Sequence, residues 1–242
     1  MCEACGCSVV RETRTIEINR RLLEANEEIA ARNRRHFDEK GIFAVNLIGS
    51  PGSGKTSLLE KTIAARGDDL NIGVLEGDIE TDLDAQRIRA KGVPAVQLTT
   101  GGACHLEAAL IHEGLHMLER QPGGGAIDLL FIENVGNLVC PSLFDLGEHM
   151  RAVLISVPEG HDKAVKYPAA VRSSHALVVS KIDLAAYFDF DMEKIREDAL
   201  SLNSSLRIFA TSVTTGQGLE EWCEFLAGVR SRNEKRKSER AP

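Results

Sequence analysis

The chain has 242 residues, of which 43% are hydrophobic and 27% are charged, and its formal net charge at pH 7 is −7. This length suits one α/β domain with short appendages better than two full domains. The acidic balance argues against a nucleic-acid binder, and no apolar run approaches the ~18 to 20 residues that a membrane span needs. The first residues lack the cationic and apolar regions of a secretory signal, so we expect a cytoplasmic protein.

The chain begins with MCEACGC, which holds half of its six cysteines. In a reducing compartment, clustered thiols are more often metal ligands or redox groups than structural disulfides. Residues 1–14 show no apolar periodicity, and we interpret them as a flexible leader. Thiolates of Cys2, Cys5 and Cys7 on such a leader can adopt the square-planar arrangement that Ni²⁺ favours. A redox C-x-x-C pair is the alternative interpretation.

An amphipathic helix is predicted over residues 15–38. Its apolar positions Ile18, Leu22, Ala25 and Ile29 recur at spacings of four, three and four, which is the period of one helical face. This face would pack either against the main domain or against another copy of the chain.

Residues 39–228 have the pattern of one α/β domain, followed by a basic, flexible tail over 229–242. Short β-branched runs alternate with longer helical stretches, which predicts an open, mostly parallel, doubly wound sheet flanked by helices. We expect about seven strands, at 43–49, 71–77, 95–99, 127–133, 151–157, 175–180 and 206–211. Ligands of such sheets bind at the carboxyl ends of the strands.

The first of these runs leads directly into GSPGSGKTS, which matches the phosphate-binding pattern G-x-x-x-x-G-K-[ST] between a strand and a helix. Backbone N–H groups of this P-loop and the following helix N-terminus would hold the phosphates, Lys55 would bridge the β and γ phosphates, and Thr56 would bind Mg²⁺. The predicted nucleotide-binding residues here are Gly49, Ser50, Pro51, Gly52, Ser53, Gly54, Lys55, Thr56 and Ser57.

Two acidic residues follow buried apolar runs and are candidates for the Mg²⁺ site. Glu133 ends the run IDLLFIE, and Asp78 lies just beyond GVLEG. We predict that both assist catalysis with Lys55, with Glu133 as a Walker-B-type acid and Asp78 as a metal-linked switch residue. Either acid could instead cap the next helix.

A late strand ends in SKID, close to the guanine-reading pattern N-K-x-D. The Asp183 carboxylate would accept hydrogen bonds from guanine N1–H and the exocyclic amine, and the Lys181 stem would cover the ring. The pattern therefore favours GTP, although Ser180 replaces the usual Asn. The small residues Thr211, Ser212 and Val213 resemble the loop that closes over the base, and a structural turn would show the same composition.

The hydrolytic machinery is sparse. Asn137 follows Gly136 where Ras-like GTPases carry a water-orienting Gln. We therefore expect slow intrinsic turnover, on the order of the ~10⁻⁴ to 10⁻² s⁻¹ of unassisted GTPases.

A second set of candidate metal ligands lies in two strand-end loops. Cys104 and His105 precede a helical stretch, and Cys140 lies seven residues after Glu133. One imidazole and two thiolates suit Ni²⁺ or Zn²⁺ and leave a coordination position open. The alternatives are buried apolar cysteines and a surface histidine.

Two further features are interpreted as structural. The sequence HEGLH places His112 and His116 one helical turn apart, but the companions of a zinc helix are missing from the sequence nearby, so we predict a solvated face. Cys223 falls in the apolar period of LEEWCEFL and is predicted to lie in the core.

Together, CEACGC, GSPGSGKTS, EGDIETDLDA, GGACHLEA, ENVGNLVCP and SKIDL occur in an order that resembles the HypB family, and the resemblance covers nearly the whole chain. It implies a slow GTPase that dimerises with GTP and assists nickel insertion into the [NiFe]-hydrogenase large subunit. It further implies a tight nickel site on Cys2, Cys5 and Cys7 and a nickel or zinc site on Cys104, His105 and Cys140. The implied partners are a HypA-type metallochaperone and the hydrogenase large-subunit precursor.

Three other functions remain open. A UreG-like urease-maturation GTPase shares the fold, although the cysteine-rich leader argues against it. A P-loop small-molecule kinase is disfavoured by SKID and by the lack of an evident substrate lid. A nickel buffer with a vestigial nucleotide site would not hydrolyse GTP.

Overall fold

The structure, a computed structural model, describes the backbone of residues 7–67, 69–78 and 82–238 and, within these ranges, the side chains of residues 21–231. Seven strands are present: β1 (Phe43–Gly49), β2 (Ile72–Asp78), β3 (Ala95–Thr99), β4 (Leu129–Glu133), β5 (Met150–Ser156), β6 (Ala176–Ser180) and β7 (Arg207–Ala210). The helices are α1 (Cys7–Lys40), α2 (Lys55–Arg66), α3 (Leu83–Arg89), α4 (Ala108–Glu119), α5 (Lys163–Lys166), α6 (Pro168–Arg172), α7 (Met192–Leu202) and α8 (Leu219–Ser238).

All seven predicted strands are confirmed and form one parallel sheet in the order β3-β2-β4-β1-β5-β6-β7. The central strand β1 is buried along its whole length, as expected when helices cover both faces. Because β4 and β5 flank β1, their carboxyl ends open beside the loop that follows β1. Ligands of doubly wound sheets bind at such a switch in strand order.

Two helical layers cover the sheet. One core packs α2, α3 and α8 against one face, with Trp222 fully buried there and Cys223 only 6% exposed, as predicted. The other face is covered by α1 and α4 at one end and by the helices between β5 and β7 at the other.

The first helix is longer than the sequence analysis predicts. Helix α1 begins at Cys7, inside the predicted leader, and ends at Lys40. No Gly or Pro interrupts this segment, so nothing in the backbone ends the helix at residue 15. Helix α8 likewise continues to Ser238, beyond the predicted domain end at residue 228.

The face of α1 that packs against the domain is not the predicted apolar stripe, and packing of that stripe against another copy of the chain stays a prediction. Leu22 is 60% exposed and Ala25 is also exposed, whereas the side chains that enter the core belong to Asn26, Ala30, Asn33 and Phe37. This face is displaced by about one residue from the apolar stripe. The two asparagines are buried because their amides bind backbone groups of the domain, so polarity did not exclude them from the core.

Within the part of the chain that the structure describes, no helix has the length and apolar character needed to cross a membrane.

Candidate functional site

The loop after β1 has the backbone geometry of a phosphate cradle. Gly52 and Gly54 adopt positive φ angles of 72° and 96°, which side chains disfavour, and α2 begins at Lys55. The loop borders a cavity of about 500 Å³ that also reaches Asp78 and Glu133. Of the remaining predicted P-loop residues, Pro51 and Ser57 line the cavity, Ser53 is fully buried, and Gly49 and Ser50 carry carbonyls that face Lys55.

Lys55 is held in the loop by weak contacts. Its ammonium lies 3.4 Å from the Gly49 carbonyl oxygen and 3.5 Å from that of Ser50, and the residue is 7% exposed. A buried ammonium with two long contacts is available for a stronger, charge-assisted interaction with phosphate.

The predicted Mg²⁺ residues Thr56 and Glu133 are brought together. Thr56 Oγ1 donates a hydrogen bond to Glu133 Oε1 at 2.8 Å, although the residues are 77 positions apart. Asp78 ends β2, is half-buried and lines the same cavity. The three residues therefore share one edge of the sheet.

A second glutamate, which the sequence analysis did not identify, lies beside Glu133. Glu76 on β2 is in register with Glu133 on β4, both are 3% exposed, and their carboxyl groups share a hydrogen bond. Burial, followed by the negative charge of Glu133, holds the pKa of Glu76 well above its ordinary value. Burial, opposed by the positive charge of Lys55, also raises the pKa of Glu133. Alternation in β2 was the available signal, since Glu76 lies two residues before Asp78.

The donor set fits Mg²⁺. Glu76 Oε2 and Glu133 Oε2 are buried without a hydrogen-bond partner, and carboxylate oxygens of Glu76, Asp84 and Glu133 lie within 4.8 Å of one another. Mg²⁺ binds hard oxygen ligands and usually one or two carboxylates beside phosphate oxygens. The hydroxyl of Thr56 adds a neutral oxygen at the same place.

The predicted base-binding residues follow β6 and β7. Asp183 is half-buried in a 3₁₀ turn that begins after Lys181, and Lys181 Nζ donates to the Gly52 carbonyl at 2.7 Å. At the end of β7, Thr211 and Ser212 are buried and Val213 is half-buried. The Ile182 N–H donates to the Thr211 carbonyl oxygen, which joins the two loops.

Ser180, the departure from the guanine-reading pattern, has a structural partner. Its hydroxyl donates to the Ser53 carbonyl oxygen across 127 residues of chain, and both residues are buried. Ser180 therefore connects the base-binding turn to the P-loop, so this connection does not require the amide of Asn.

The structure also brings Cys104, His105 and Cys140 together. The two sulfur atoms are 2.8 Å apart, His105 Nδ1 lies 3.8 Å from Cys104 Sγ, and the three residues offer ligand atoms within 4.8 Å of one another. Both cysteines are free thiols, and all three side chains are half-buried.

The surroundings of His105 and Cys140 favour the neutral form of each side chain. Burial lowers the pKa of His105, opposed by Glu107, and His105 Nε2 is buried without a hydrogen-bond partner. The imidazole stacks on Phe144 with ring centres 3.9 Å apart. Contact with Cys104, followed by burial, raises the pKa of the Cys140 thiol. A soft divalent ion would displace these thiol protons, so the set fits Ni²⁺ or Zn²⁺.

A short segment, residues 133–140, connects the phosphate site around the P-loop to the thiol site, which consists of Cys104, His105 and Cys140. Gly136 packs so closely on Pro51 that a Cβ would lie 2.8 Å from its Cγ. Asn137 forms a β-bridge with Gly49, and its side-chain amide faces the Cys104 carbonyl oxygen at 3.5 Å. Between Glu133 and Cys140, the segment therefore contacts both the P-loop and the loop that carries Cys104.

Asn134 adds a buried connection that the sequence analysis also missed. It directly follows Glu133, and its side-chain oxygen accepts the Leu106 N–H at 3.1 Å. Because Leu106 directly follows His105, this hydrogen bond joins Asn134, the neighbour of Glu133, to the loop that carries Cys104 and His105. A polar residue in an otherwise apolar strand end was the signal for it.

The leader ligands are placed only in part. Cys2 and Cys5 lie outside the described residues, and Cys7 is described as the first backbone position of α1. The leader site therefore stays a prediction.

The chain matches the family model described as the CobW/HypB/UreG nucleotide-binding domain over residues 43–210. It is 44% identical over 215 residues to the hydrogenase maturation factor HypB of Azotobacter chroococcum, covering 89% of this chain and 69% of that protein. It is 42% identical over 220 residues to the hydrogenase/urease maturation factor HypB of Helicobacter hepaticus, covering 91% and 90%. The crystal structure of Helicobacter pylori HypB in complex with nickel superposes with a TM-score of 0.83 at 41% identity, covering 86% of this chain and 96% of that one. With its P-loop, paired thiols and seven-stranded sheet, the chain belongs to the HypB family of CobW/HypB/UreG nucleotide-binding proteins.

Proposed function

We propose that this chain is a GTP-hydrolysing nickel metallochaperone for maturation of the [NiFe]-hydrogenase large subunit. The names of its relatives support hydrogenase maturation, and a relative with nickel bound supports the cargo. The observation that carries the proposal is the segment 133–140, because it touches the P-loop and carries a ligand of the thiol site.

Nucleotide binding follows from the residues around the P-loop. Lys55 and the N-terminus of α2 provide positive potential for the phosphates. Asp183 accepts hydrogen bonds from guanine, while Lys181 is held over the P-loop by the Gly52 carbonyl. Mg²⁺, when bound through Thr56 and Glu133 with Asp78 nearby, neutralises charge on the transferring phosphate.

Hydrolysis should be slow. Asn137 occupies the position where a Gln orients water in faster GTPases, and its side chain is already engaged with backbone groups of Val139 and Cys104. An amide held in this way is not free to orient water. Slow turnover keeps the chain in its GTP state long enough for a partner to bind, which suits a switch.

Nickel is the cargo of the proposed cycle. Cys2, Cys5 and Cys7 would take up Ni²⁺ tightly, and Cys104, His105 and Cys140 would hold Ni²⁺ or Zn²⁺ in a nucleotide-dependent way. A GTP-dependent homodimer, a HypA-type metallochaperone and the hydrogenase large-subunit precursor are the proposed partners, and the cytoplasm is the proposed location.

Coupling between nucleotide and metal should be reciprocal. A phosphate-dependent shift of Glu133, Gly136 or Asn137 would move Cys140 relative to Cys104. A typical allosteric coupling is ~1 to 3 kcal/mol, or roughly 5- to 150-fold in affinity. The affinity of the thiol site for nickel should therefore differ between the GDP and GTP states by a factor in this range.

The test uses full-length protein in which Cys2, Cys5 and Cys7 are serine, so that Ni²⁺ reports on the thiol site. Nickel is titrated with GDP or a non-hydrolysable GTP analogue, in the parent and in Asn137→Ala. We expect the parent to show a nucleotide-dependent affinity and Asn137→Ala to lose most of that dependence. Thr214→Ala, in a loop after β7, is the matched control.

Equal nickel affinity in both nucleotide states of the parent would contradict the proposed coupling. A separate assay compares hydrolysis of GTP and ATP with Mg²⁺. Strict preference for ATP, or rapid phosphoryl transfer to a small acceptor, would instead favour the P-loop kinase.

Urease maturation is a second candidate function, supported by the Helicobacter hepaticus relative, whose name includes both hydrogenase and urease. The two functions differ in the final acceptor of nickel. Transfer of labelled nickel to purified urease apoprotein, compared with the hydrogenase large-subunit precursor, distinguishes them.

A further inference from the structure

Helices α1 and α4 lie side by side and bring together three histidines that are distant in the sequence. His36 comes from α1, and His112 and His116 come from α4. Their ring centres are separated by 6.3 Å for His36 and His112, 5.5 Å for His36 and His116, and 4.8 Å for His112 and His116. No thiol and none of the phosphate-site residues belongs to this group, which we call the histidine cluster.

A shared metal ion at this cluster requires the imidazole of His36 to rotate, because the 4.8 Å separation of His112 and His116 meets the spacing of two bound imidazoles while both separations from His36 are longer. Imidazole nitrogens bind Zn²⁺ at about 2.1 Å, which places the centres of two rings in a tetrahedral site about 5 Å apart. Two imidazoles at positions i and i+4 of one helix already face the same side and form a known metal-binding pair in H-E-x-x-H. The sequence HEGLH has this spacing, and His36 supplies the third ligand that its neighbours in the sequence do not.

Glu119 lies beside one ring nitrogen of His36 and one of His116. His36 Nε2 is buried and has no hydrogen-bond partner, with Glu119 Oε1 at 3.6 Å. His116 Nδ1 lies 3.3 Å from Glu119 Oε2, which leaves His116 Nε2 for an ion. Metal-binding histidines commonly use their second nitrogen to contact a carboxylate in this way.

The local charges are mixed. Lys40 Nζ lies 3.1 Å from Glu119 Oε1. The positive charge of Arg32 lowers the pKa of His112, and the negative charge of Glu113 raises it. Burial, followed by the charges of the two other histidines, lowers the pKa of His112. The neutral form of the His112 imidazole is therefore favoured, and a neutral imidazole is the form that binds metal.

We propose that His36, His112 and His116 bind one divalent transition-metal ion such as Zn²⁺ or Ni²⁺. Glu119 orients the imidazole of His116 through its Nδ1. The ion connects α1 to α4 and so fixes the first helix on the domain. The site is separate from both cysteine sites and does not depend on the proposed function.

The test removes the thiol ligands and leaves the histidine cluster intact. The full chain carries serine in place of Cys2, Cys5, Cys7, Cys104 and Cys140, and Zn²⁺ or Ni²⁺ is added alone, without nucleotide. We expect one ion per chain and a rise in the thermal unfolding temperature on binding. Co²⁺ should give the visible spectrum of nitrogen and oxygen ligands without thiolate charge-transfer bands.

Variants of this five-serine chain assign the ligands. His112→Gln and His116→Gln should each weaken binding by more than about 10-fold, and Glu119→Gln by roughly 10-fold. His112 is exposed, so its substitution reports on binding without loss of core packing. His161→Gln, in a half-buried histidine near Phe190 and outside the cluster, is the matched control and should bind as the parent does.

Three results would overturn the proposal. The first is a five-serine chain that binds no ion at micromolar concentrations. The second is binding that survives both His112→Gln and His116→Gln, and the third is an equal loss in His161→Gln. Because nucleotide and cysteine ligands take no part, failure here leaves the GTPase and nickel-delivery proposal standing.

Discussion

Glu76 and Glu133 form the most unusual pair of side chains in the phosphate site. Two carboxyl groups, each 3% exposed, face each other across neighbouring parallel strands and share a hydrogen bond. Such a pair avoids repulsion only if one member keeps a proton. The pKa of Glu76 is raised by burial and then by the charge of Glu133, so Glu76 is the member whose substitution tests this proton.

Glu76→Gln should make nucleotide-free protein less sensitive to rising pH. The raised pKa means that Glu76 contributes its stability below the ordinary glutamate value of 4.5 and loses it as pH rises through the folded-state pKa. A tenfold change in proton affinity between the folded and unfolded states corresponds to ~1.4 kcal/mol in the free energy of unfolding. Gln offers an N–H donor in place of the acid O–H and has no proton to lose, so the variant should be more stable than the parent at pH 8.

Urea unfolding of both proteins between pH 5 and pH 9, without nucleotide or metal, measures this difference. Glu220→Gln, an exposed glutamate at the start of α8, serves as the control and should leave the pH slope unchanged. Identical slopes for the parent and Glu76→Gln would show that Glu76 does not hold the proton.

The hydrogen bond from Ser180 to the P-loop predicts an effect on nucleotide binding. Ser180→Ala removes the hydrogen bond to the Ser53 carbonyl oxygen and should weaken GDP and GTP binding alike by about 0.5–1.5 kcal/mol, roughly 2- to 10-fold in Kd. The preference for guanine over adenine should persist, because the substitution leaves Asp183, the proposed guanine-reading residue, unchanged.

Competition between nucleotides for a fluorescent GDP analogue checks this expectation. Asp183→Asn is the matched comparison and should reduce the preference for guanine itself. If Ser180→Ala abolishes guanine preference while Asp183→Asn retains it, the assigned roles are reversed.

At the scale of elements, α1 is attached to the domain through two buried amides. Asn26 donates to the Asp145 carbonyl oxygen and accepts the Ala108 N–H, and Asn33 donates to carbonyl oxygens of Ala108 and Leu146. These backbone groups belong to the start of α4 and to the loop that follows Cys140. One helix therefore clamps the two loops that carry the ligands of the thiol site.

Asn33→Leu should destabilise the protein and loosen the thiol site together. The substitution keeps the volume but removes the amide that donates to two buried carbonyl oxygens, and a buried acceptor left unsatisfied costs about 1–3 kcal/mol. We also expect roughly tenfold weaker nickel binding by the chain that lacks the leader thiols, as for other residues that support metal ligands.

Denaturant unfolding and nickel titration of the same preparation measure the two effects. Glu28→Gln, on the exposed face of α1, is the control. Nickel affinity equal to that of the parent in a folded Asn33→Leu variant would show that α1 does not position the thiol loops.

At the scale of the whole molecule, a buried polar network runs beneath the functional edge of the sheet. Asn134 reaches Asn46 on β1 at 3.4 Å, Asn46 donates to Glu148, and Arg151 on β5 binds Glu148 at 2.6 Å. Arg151 also donates to carbonyl oxygens of the loop after Cys140. The network therefore links the strands on both sides of the P-loop to the thiol loop.

This network predicts how the protein responds to acid. Burial tends to raise the pKa of Glu148, but Arg151, followed by the Leu146 N–H and the Asn46 amide, outweighs it and holds the pKa below its usual value. A depressed pKa contributes stability above the ordinary value of 4.5, and that contribution is lost as pH falls through the folded-state pKa.

Glu148→Gln should therefore lower the free energy of unfolding at pH 7 by about 3–5 kcal/mol, because it leaves the Arg151 charge buried and unpaired. The deficit should shrink as pH falls below 4.5. Thermal unfolding at pH 7 and pH 4 checks this, with the exposed Glu193→Gln as control. A deficit that stays constant across this range would contradict a charged Glu148.

Much of the fold was predictable because its signals are local. Each strand is a short, mostly apolar run that contains at least one Val or Ile. The P-loop, SKID and the two thiol loops are contiguous motifs whose position after a strand determines the edge on which they lie. Helix ends were less predictable at α1 and α8, since the charged segments there contain no breaker and continue the helix on backbone preference alone.

The sequence by itself therefore determined the seven strands, the phosphate loop, the candidate guanine-reading turn and the candidate ligands Cys104, His105 and Cys140. Only the tertiary structure decided which face of α1 is buried, that Glu76 shares a proton with Glu133, that Asn137 touches both sites, and that His36 completes a cluster with the histidines of α4. The physical reason is that these features depend on contacts between residues far apart in the chain. Hydrogen-bond satisfaction in the packed core, rather than apolar periodicity, selects which side chains make them.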